Sequence, residues 1–329
     1  MITRRNALKW AGAGGMSLAL ADGLSARADM GLEHAVAASG ETYVMVSNVS
    51  ANSYWIDAQD GGQDAAAELG VRWQYTGPAN LDTPAQVSTL EQLIATKPAG
   101  IIVPALQPGA LNASINKAVR AGIPVVTVDT DAPASNRLTY LGTENYQAGV
   151  VMGQRMVQVL GGRGKVGLSS VPGQFNLEQR IQGIRDAFKG HPGMQVAAIV
   201  DNKADDSAAA TAVAALIQAH PDLKLVASIN ATGAGVVAAL RQTGQVGKVK
   251  AVLFDRNPAI LQAVKAGIAD STLIQRTYMF TYLGVRLLYS YNHPTKYLAV
   301  QRRNRISTLP NAVDTGIIVA TKNVVGAFM

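Results

Sequence analysis

From Tyr43 onward two hydrophobic patterns take turns along the chain. Short, unbroken apolar and β-branched runs, Tyr43–Ser47, Gly100–Pro104 and Val125–Asp129, are separated by Ala-rich stretches near residues 54–69, 84–96 and 109–121. A short continuous apolar run reads as a strand buried on both faces, and the longer Ala-rich stretches read as helices. Strands interleaved with helices at this spacing predict βαβ units and a parallel sheet covered on both sides. The pattern then starts again, with strands expected at Lys165–Ser169, Val196–Val200, Leu225–Ile229, Ala251–Asp255 and Asp270–Ile274. Two αβ series of similar size predict an α/β protein of two Rossmann-like, doubly wound lobes, divided near Gly142–Glu144.

The segment ahead of the first strand follows neither pattern. Thr3-Arg4-Arg5-Asn6-Ala7-Leu8-Lys9 sets two arginines before a weakly apolar stretch, Trp10–Ala21, and Ala26-Arg27-Ala28 supplies a small-x-small cleavage site. Basic, apolar and small-residue regions in that order describe an export signal over residues 1–28, of twin-arginine type although Ala7 stands where that motif usually carries Phe. The apolar stretch falls well short of the roughly 20 residues that cross a bilayer. The other reading, a basic amphipathic surface helix, is opposed by Gly12, Gly14 and Gly15, which weaken any helix. Residues 29–41 read as a linker.

Composition excludes several classes of function. The chain has 329 residues, 48% hydrophobic and 16% charged, long enough for two domains. It has no cysteine, which removes disulfides, thiolate metal sites and a cysteine nucleophile. Of the formal charge of +7, the export segment supplies +3 (Arg4, Arg5, Lys9 and Arg27 against Asp22), leaving about +4, too mild a balance to argue for nucleic acid. The one dense basic cluster, Arg302-Arg303-Asn304-Arg305, reads as a solvated turn. His34, His191, His220 and His293 are scattered, so neither a metal site nor a catalytic set is expected. Gly161-Gly162-Arg163-Gly164-Lys165 lacks the spacer of a phosphate loop and is followed by Val166, where Ser or Thr would bind magnesium. No G-x-S-x-G elbow is present. Nothing points to an enzyme or to a cofactor.

The informative polar residues sit at strand ends. In open α/β sheets ligands bind beyond the carboxyl ends of the strands. Asp129 and Asp131 end the Val125 strand, Asn230 the Leu225 strand, Asp255 and Arg256 the Ala251 strand, and Gln275 and Arg276 the Asp270 strand. Any one of these could be a helix cap or a turn former. As a set they supply paired acceptors and donors for adjacent hydroxyls, and charge-assisted hydrogen bonds contribute roughly 1.5 to 3 kcal/mol each. Asn52-Ser53-Tyr54-Trp55 adds two aromatic rings just after the first strand, suited to the apolar C–H face of a sugar.

With these residues in place the chain resembles the periplasmic sugar-binding proteins of ABC transporters, in the ribose-binding-like branch of the type I fold, from about Tyr43 to Val319. Asn52-Ser53-Tyr54-Trp55 is similar to that branch's Asn-Pro-aromatic-aromatic loop, with Ser53 in place of proline. Val128-Asp129 is similar to its strand-end Asp, but Thr130 stands where ribose binders carry arginine. Arg180-Ile181-Gln182-Gly183 is similar to its Arg-x-x-Gly, with Asn176 one turn upstream. Asn230, Asp255 and Gln275 match further polar ligands, while Ala231 departs from the Asp that often follows that Asn.

The resemblance implies an interlobe cleft in which Tyr54 and Trp55 stack on the ligand. Asn52, Asp129, Asn230, Asp255 and Gln275 would then bond hydroxyls, and Asn176 and Arg180 would contact ring or anomeric oxygens. Asp131 joins this set as an expected cleft carboxylate. A three-strand hinge is implied, with crossings near Gly142–Glu144, Gln275–Thr277 and Asn304–Pro310. The expected N-terminal lobe is therefore 42–143 plus 276–306, and the C-terminal lobe 144–275 plus 307–329. The resemblance also implies a monomer in the periplasm, an ABC permease in the inner membrane as partner, and a chemoreceptor as a further candidate partner. With Asp129, Asp131 and Asp255 against Arg180, a neutral monosaccharide or polyol fits better than a carboxylate ligand. Thr130, Thr76-Gly77-Pro78 and Asp129-Thr130-Asp131 look more like the neighbouring branch of autoinducer-2, rhamnose and sugar-alcohol binders, so the expected ligand is not ribose. Two rivals stand beside this reading. A sugar-responsive transcription regulator core would need a helix-turn-helix headpiece, and a secreted α/β enzyme would need a nucleophile with a base in reach.

Overall fold

The computed structural model describes residues 40–304 and 306–329; the export signal and nearly all of the linker lie outside the described residues. The first sheet holds β1 (Thr42–Val46), β2 (Arg72–Thr76), β3 (Gly100–Val103), β4 (Val125–Val128), β5 (Thr139–Gly142) and β11 (Ala312–Asp314), in the spatial order β11-β5-β4-β3-β1-β2. Every pairing in it is parallel. The second holds β6 (Arg163–Ser170), β7 (Gly193–Asp201), β8 (Leu223–Ser228), β9 (Lys250–Phe254), β10 (Ser271–Gln275) and β12 (Ile317–Thr321), in the order β12-β10-β9-β8-β6-β7. Here only the edge pair β10/β12 is antiparallel. The two orders superimpose position by position, so β4 of one lobe corresponds to β9 of the other.

The central strands are the continuous apolar runs of the sequence, and they are buried along almost their whole length. Strands towards the sheet edges carry a weaker signal. In β2 the residues Arg72-Trp73-Gln74-Tyr75-Thr76 alternate between more and less exposed positions, as a strand with one wetted face does. β5 and β11 are too short to carry a period.

Helices cover both faces of each sheet. In the first lobe α1 (Ile56–Leu69) and α9 (Thr277–Asn292) bury one face, while α2 (Thr83–Thr96) and α3 (Pro108–Arg120) bury the other. In the second lobe α4 (Asn145–Leu160) and α5 (Phe175–Phe188) lie on one face, and α6 (Asp206–Ala219), α7 (Gly233–Gln242) and α8 (Pro258–Lys265) on the other. α10 (Lys296–Arg303) buries none of its residues.

Three changes of lobe follow from this packing. β5 belongs to the first sheet but α4 to the second lobe, so the chain crosses between Gly142 and Asn145. β10 belongs to the second sheet but α9 to the first lobe, so it returns at Arg276. The third crossing differs from the expected Asn304–Pro310. β11 pairs with β5, Ala312 opposite Tyr140 and Asp314 opposite Gly142, and only then does β12 join β10. The crossing therefore falls at Thr315–Gly316, where Gly316 takes φ +73°, and the first lobe keeps residues up to Asp314. The physical reason is that a three-residue edge strand ending in Asp carries almost no hydrophobic signal.

Candidate ligand-binding cleft

Beyond the carboxyl ends of both sheets lies a cavity of about 670 Å³ between the lobes. Its wall includes Asn52, Tyr54, Asp57 and Asp129 from the first lobe and Asn176, Arg180, Asn230, Asp255, Arg256 and Gln275 from the second.

The corresponding strands β4 and β9 deliver corresponding aspartates. Asp129 and Asp255 each leave the strand in the left-handed backbone region, with φ +61° and +67°. That conformation costs a non-glycine residue on the order of 1–3 kcal/mol, although aspartate tolerates it better than most. Both are held there in the same way. The Asp129 N–H donates to the Leu141 carbonyl at 3.1 Å, and the Asp255 N–H to that of Leu273 at 2.7 Å. Their own carbonyls accept from Tyr140 OH (2.8 Å) and Thr272 Oγ1 (2.6 Å). A strand-end turn clamped on both sides in both lobes aims the two carboxylates at one space.

Arg180 lies within electrostatic reach of both, 4% exposed. It rides on α5, which lies close against α4 because Gly149 and Gly183 face the opposite backbone; a Cβ at either would collide with a carbonyl oxygen of the other helix. The Gly of the Arg-x-x-Gly sequence thus sets the depth of the arginine. Arg180 Nε donates to Asn145 Oδ1 at 2.8 Å, Nη1 to the Ile229 carbonyl at 3.0 Å and Nη2 to Gln275 Oε1 at 3.4 Å. The guanidinium also lies 3.9 Å from the centre of the Phe254 ring, a cation–π contact. Gln275 Nε2 in turn donates to Asp255 Oδ1 at 3.0 Å.

Burial pushes the Asp129 and Asp255 carboxyls above the usual aspartate value. The Tyr54 and Thr130 hydroxyls beside Asp129, Gln275 beside Asp255, and Arg180 near both oppose that shift without cancelling it. Burial likewise lowers Arg180, against the pull of Asp255, Tyr54 and Asp129. Tyr54 is pushed well up, by burial and then by Asp129 and Asp255, so its hydroxyl remains a donor, to Asp129 Oδ1 at 2.6 Å. Asp57, Asp129, Asp206 and Asp255 outnumber Arg180 and Arg256 along the lining, which leaves the cleft negative with a surplus of acceptors and suits a ligand rich in hydroxyl donors.

Two expected ligand residues lie elsewhere. Trp55 is 1% exposed and packs in the first-lobe core with Met45, Ala58 and Phe280. Residues 53–55 form a 3-10 turn, in which successive side chains point about a third of a turn apart. Tyr54 therefore enters the cleft while Trp55 turns beneath α1, its ring edge-on to Tyr54 at 4.8 Å and 80°. Asp131 is the second correction. Its two oxygens take a bidentate pair from Arg137, both contacts at 2.6 Å, and Oδ1 also accepts from Thr127 Oγ1 and the Ala132 N–H, both at 2.7 Å. Burial pushes this carboxyl up, but those bonds outweigh it and hold Asp131 below the usual value. It accepts four hydrogen bonds from its own lobe, and it does not line the cavity.

The structure brings Asn52, Tyr54, Asp129, Asn176, Arg180, Asn230, Asp255 and Gln275 to one wall, together with several residues not expected there. Asp206 opens α6 and Thr232 precedes the first residue of α7, so the polar residues at helix starts after β7 and β8, and not only those at strand ends, are the signal that finds them. Asn202, fully buried at the end of β7, does not face the cavity but fixes Asn230, donating to its Oδ1 at 2.9 Å, with Thr232 Oγ1 donating there at 2.8 Å. Among the described residues no group of three or more His, Asp or Glu is arranged to hold a metal, and no helix is long and apolar enough to cross a membrane.

The family model described as a periplasmic binding protein domain matches residues 43–293. The chain belongs to the periplasmic binding protein family. It is similar to the xylose/arabinose-binding protein XylF of Sulfolobus acidocaldarius, 29% identical over 265 residues that span 75% of this chain and 65% of that protein. Among solved structures it is similar to AraP, an arabinose-binding protein from Geobacillus stearothermophilus, at 37% identity and a TM-score of 0.83, covering 88% of this chain and 99% of the other. A solute-binding protein of Burkholderia graminis in complex with D-arabinose is 29% identical with a TM-score of 0.76, over 87% and 97% of the two chains. In a periplasmic binding protein the space between the lobes is where a ligand is enclosed, and hinge closure around it is an established property of the class.

Proposed function

We propose that this periplasmic binding protein takes a neutral monosaccharide or polyol into its interlobe cleft and hands it to an ABC permease. The observation that carries the reading is the pair Asp129 and Asp255, one from each lobe, lining one cavity with Arg180. Carboxylates held above their usual pKa by burial gain most from a ligand that donates hydroxyls to them, whereas a carboxylate ligand would add a further negative charge to a lining in which aspartates already outnumber arginines. Similarity to proteins named for xylose and arabinose favours a pentose within this class. Thr130, whose hydroxyl donates to Asp129 Oδ2 at 3.1 Å, stands where the ribose-type arginine would be, which supports a sugar other than ribose. Export through residues 1–28 would set the protein in the periplasm, where a permease receives the sugar.

Thermal-shift screening of the mature protein against aldopentoses, aldohexoses, 6-deoxy sugars, pentitols and autoinducer-2 tests the proposal. A ligand at a hundredfold excess over Kd adds about 2.7 kcal/mol of stability. A pentose is expected to give the largest shift and ribose a small one. No shift with any sugar or polyol would overturn the reading.

A further inference from the structure

Arg256 follows Asp255 directly, and the left-handed turn at Asp255 throws it across the cleft. There its Nη1 lies 2.5 Å from Oδ2 of Asp57, in the first turn of α1 in the opposite lobe. Among the side-chain hydrogen bonds and ion pairs of the described residues, this pair alone joins the lobes away from the three crossings. Neither side chain makes any other hydrogen bond among the described residues. Both line the cavity, and they keep 36% and 26% of their side-chain surface, Arg256 and Asp57 respectively, so they sit at its mouth rather than its floor.

Resting on the interlobe binding reading, we infer that Asp57 and Arg256 form a clasp across the cleft mouth that sets how tightly and how long the ligand is held. Each partner is tied to a residue that faces the ligand: Asp57 lies one turn beyond Tyr54, and Arg256 adjoins Asp255. The two charges meet only when the lobes close, so their attraction belongs to the closed state alone. An interaction present in one of two states shifts their balance by its own strength, and the ligand's affinity shifts with it. A pair this exposed is screened by solvent, so the effect is modest, about two- to fivefold in Kd.

The test is calorimetric and stopped-flow binding of L-arabinose and D-xylose to the full mature protein and to D57N, R256Q and the charge-swapped double variant D57R/R256D. Each single variant is expected to weaken binding about two- to fivefold, chiefly through faster release, and the swap to restore most of the loss. High salt should weaken the unmodified protein more than either single variant. Unchanged binding in the single variants, or a swap no better than they are, would overturn the clasp; the second result would mark the two residues as direct ligand contacts.

If neither sugar binds the unmodified protein, the pentose preference fails instead, and the clasp is read without ligand. The chain has no cysteine, so D57C/R256C presents the only two thiols to a short bis-maleimide. It is expected to cross-link within the molecule much faster than D57C/K265C, whose second thiol lies on the exposed end of α8. Equal rates would overturn the clasp.

Discussion

Asp129 and Asp131 leave the same strand two residues apart, yet they have been put to opposite uses. Asp129 sits in a left-handed turn, above its usual pKa, with its carboxylate facing an open cavity. Asp131 is gripped by Arg137, Thr127 and a backbone N–H and held below its usual pKa. Tyr54 and Trp55 repeat the contrast with neighbouring rings, one in the cleft and one in the core. Within a few ångströms of each other, one set of groups is saturated by the fold and the other is left costly and available. Sites are where a protein departs from local optimality, because a ligand supplies what the fold withholds.

The largest expected departure is in the core member of the aromatic pair. Trp55→Ala should cost about 3–5 kcal/mol of stability, measured by urea unfolding, and weaken sugar binding only through the loss of support for Tyr54. Lost affinity with unchanged stability would place Trp55 back in the cleft. Asp131→Asn should be milder, about 1–3 kcal/mol, since Asp131 retains 24% of its side-chain surface while Arg137 is nearly buried. Its sugar affinity should stay within about twofold, because the carboxylate serves the loop and not the ligand.

pH sharpens the same comparison with opposite signs. Asp131, whose folded pKa is depressed, contributes stability above the ordinary aspartate value of 3.8 that is lost as pH falls through its lower folded value. Asp129 and Asp255, whose folded values are raised, oppose folding at neutral pH. Their contribution is favourable below the ordinary value of 3.8 and lost as pH rises through the raised values. Melting temperatures of the ligand-free protein should therefore hold or rise slightly on mild acidification before falling. Sugar affinity should drop over that same mild range, as protonation removes charged acceptors. A sugar affinity indifferent to pH down to the ordinary aspartate value would break the distinction.

Much of this architecture could be read from the chain, for reasons particular to its residues. Strands such as Gly100–Val103 and Val125–Val128, buried along their length, write themselves as unbroken apolar runs. The polar residue that ends such a run stands out, which is how Asp129, Asn230, Asp255 and Gln275 became visible. What stayed hidden depended on local geometry or distant partners. The core placement of Trp55 is hidden because the 3-10 turn that separates it from Tyr54 leaves no mark in composition. The tie of Asp131 is hidden because its partner Arg137 lies beyond a turn, and nothing in the spacing says that the two meet. Asp57 carries no signal of its own in the sequence, since its partner Arg256 lies 199 positions away. The third crossing was displaced because β11 is an edge strand of three residues.

The central claim is that the cleft carboxylates exist for a ligand and not for the fold, and Asp255→Asn, which removes the charge but tolerates the same left-handed turn, tests it most directly. One thermal-shift experiment reads both terms: the melting temperature of the ligand-free variant and its response to the sugar that shifts the unmodified protein most. The account predicts a ligand-free melting temperature equal to or above that of the unmodified protein, and no response to the sugar. A ligand-free variant that melts several degrees lower, or one that still responds fully to the sugar, would contradict it.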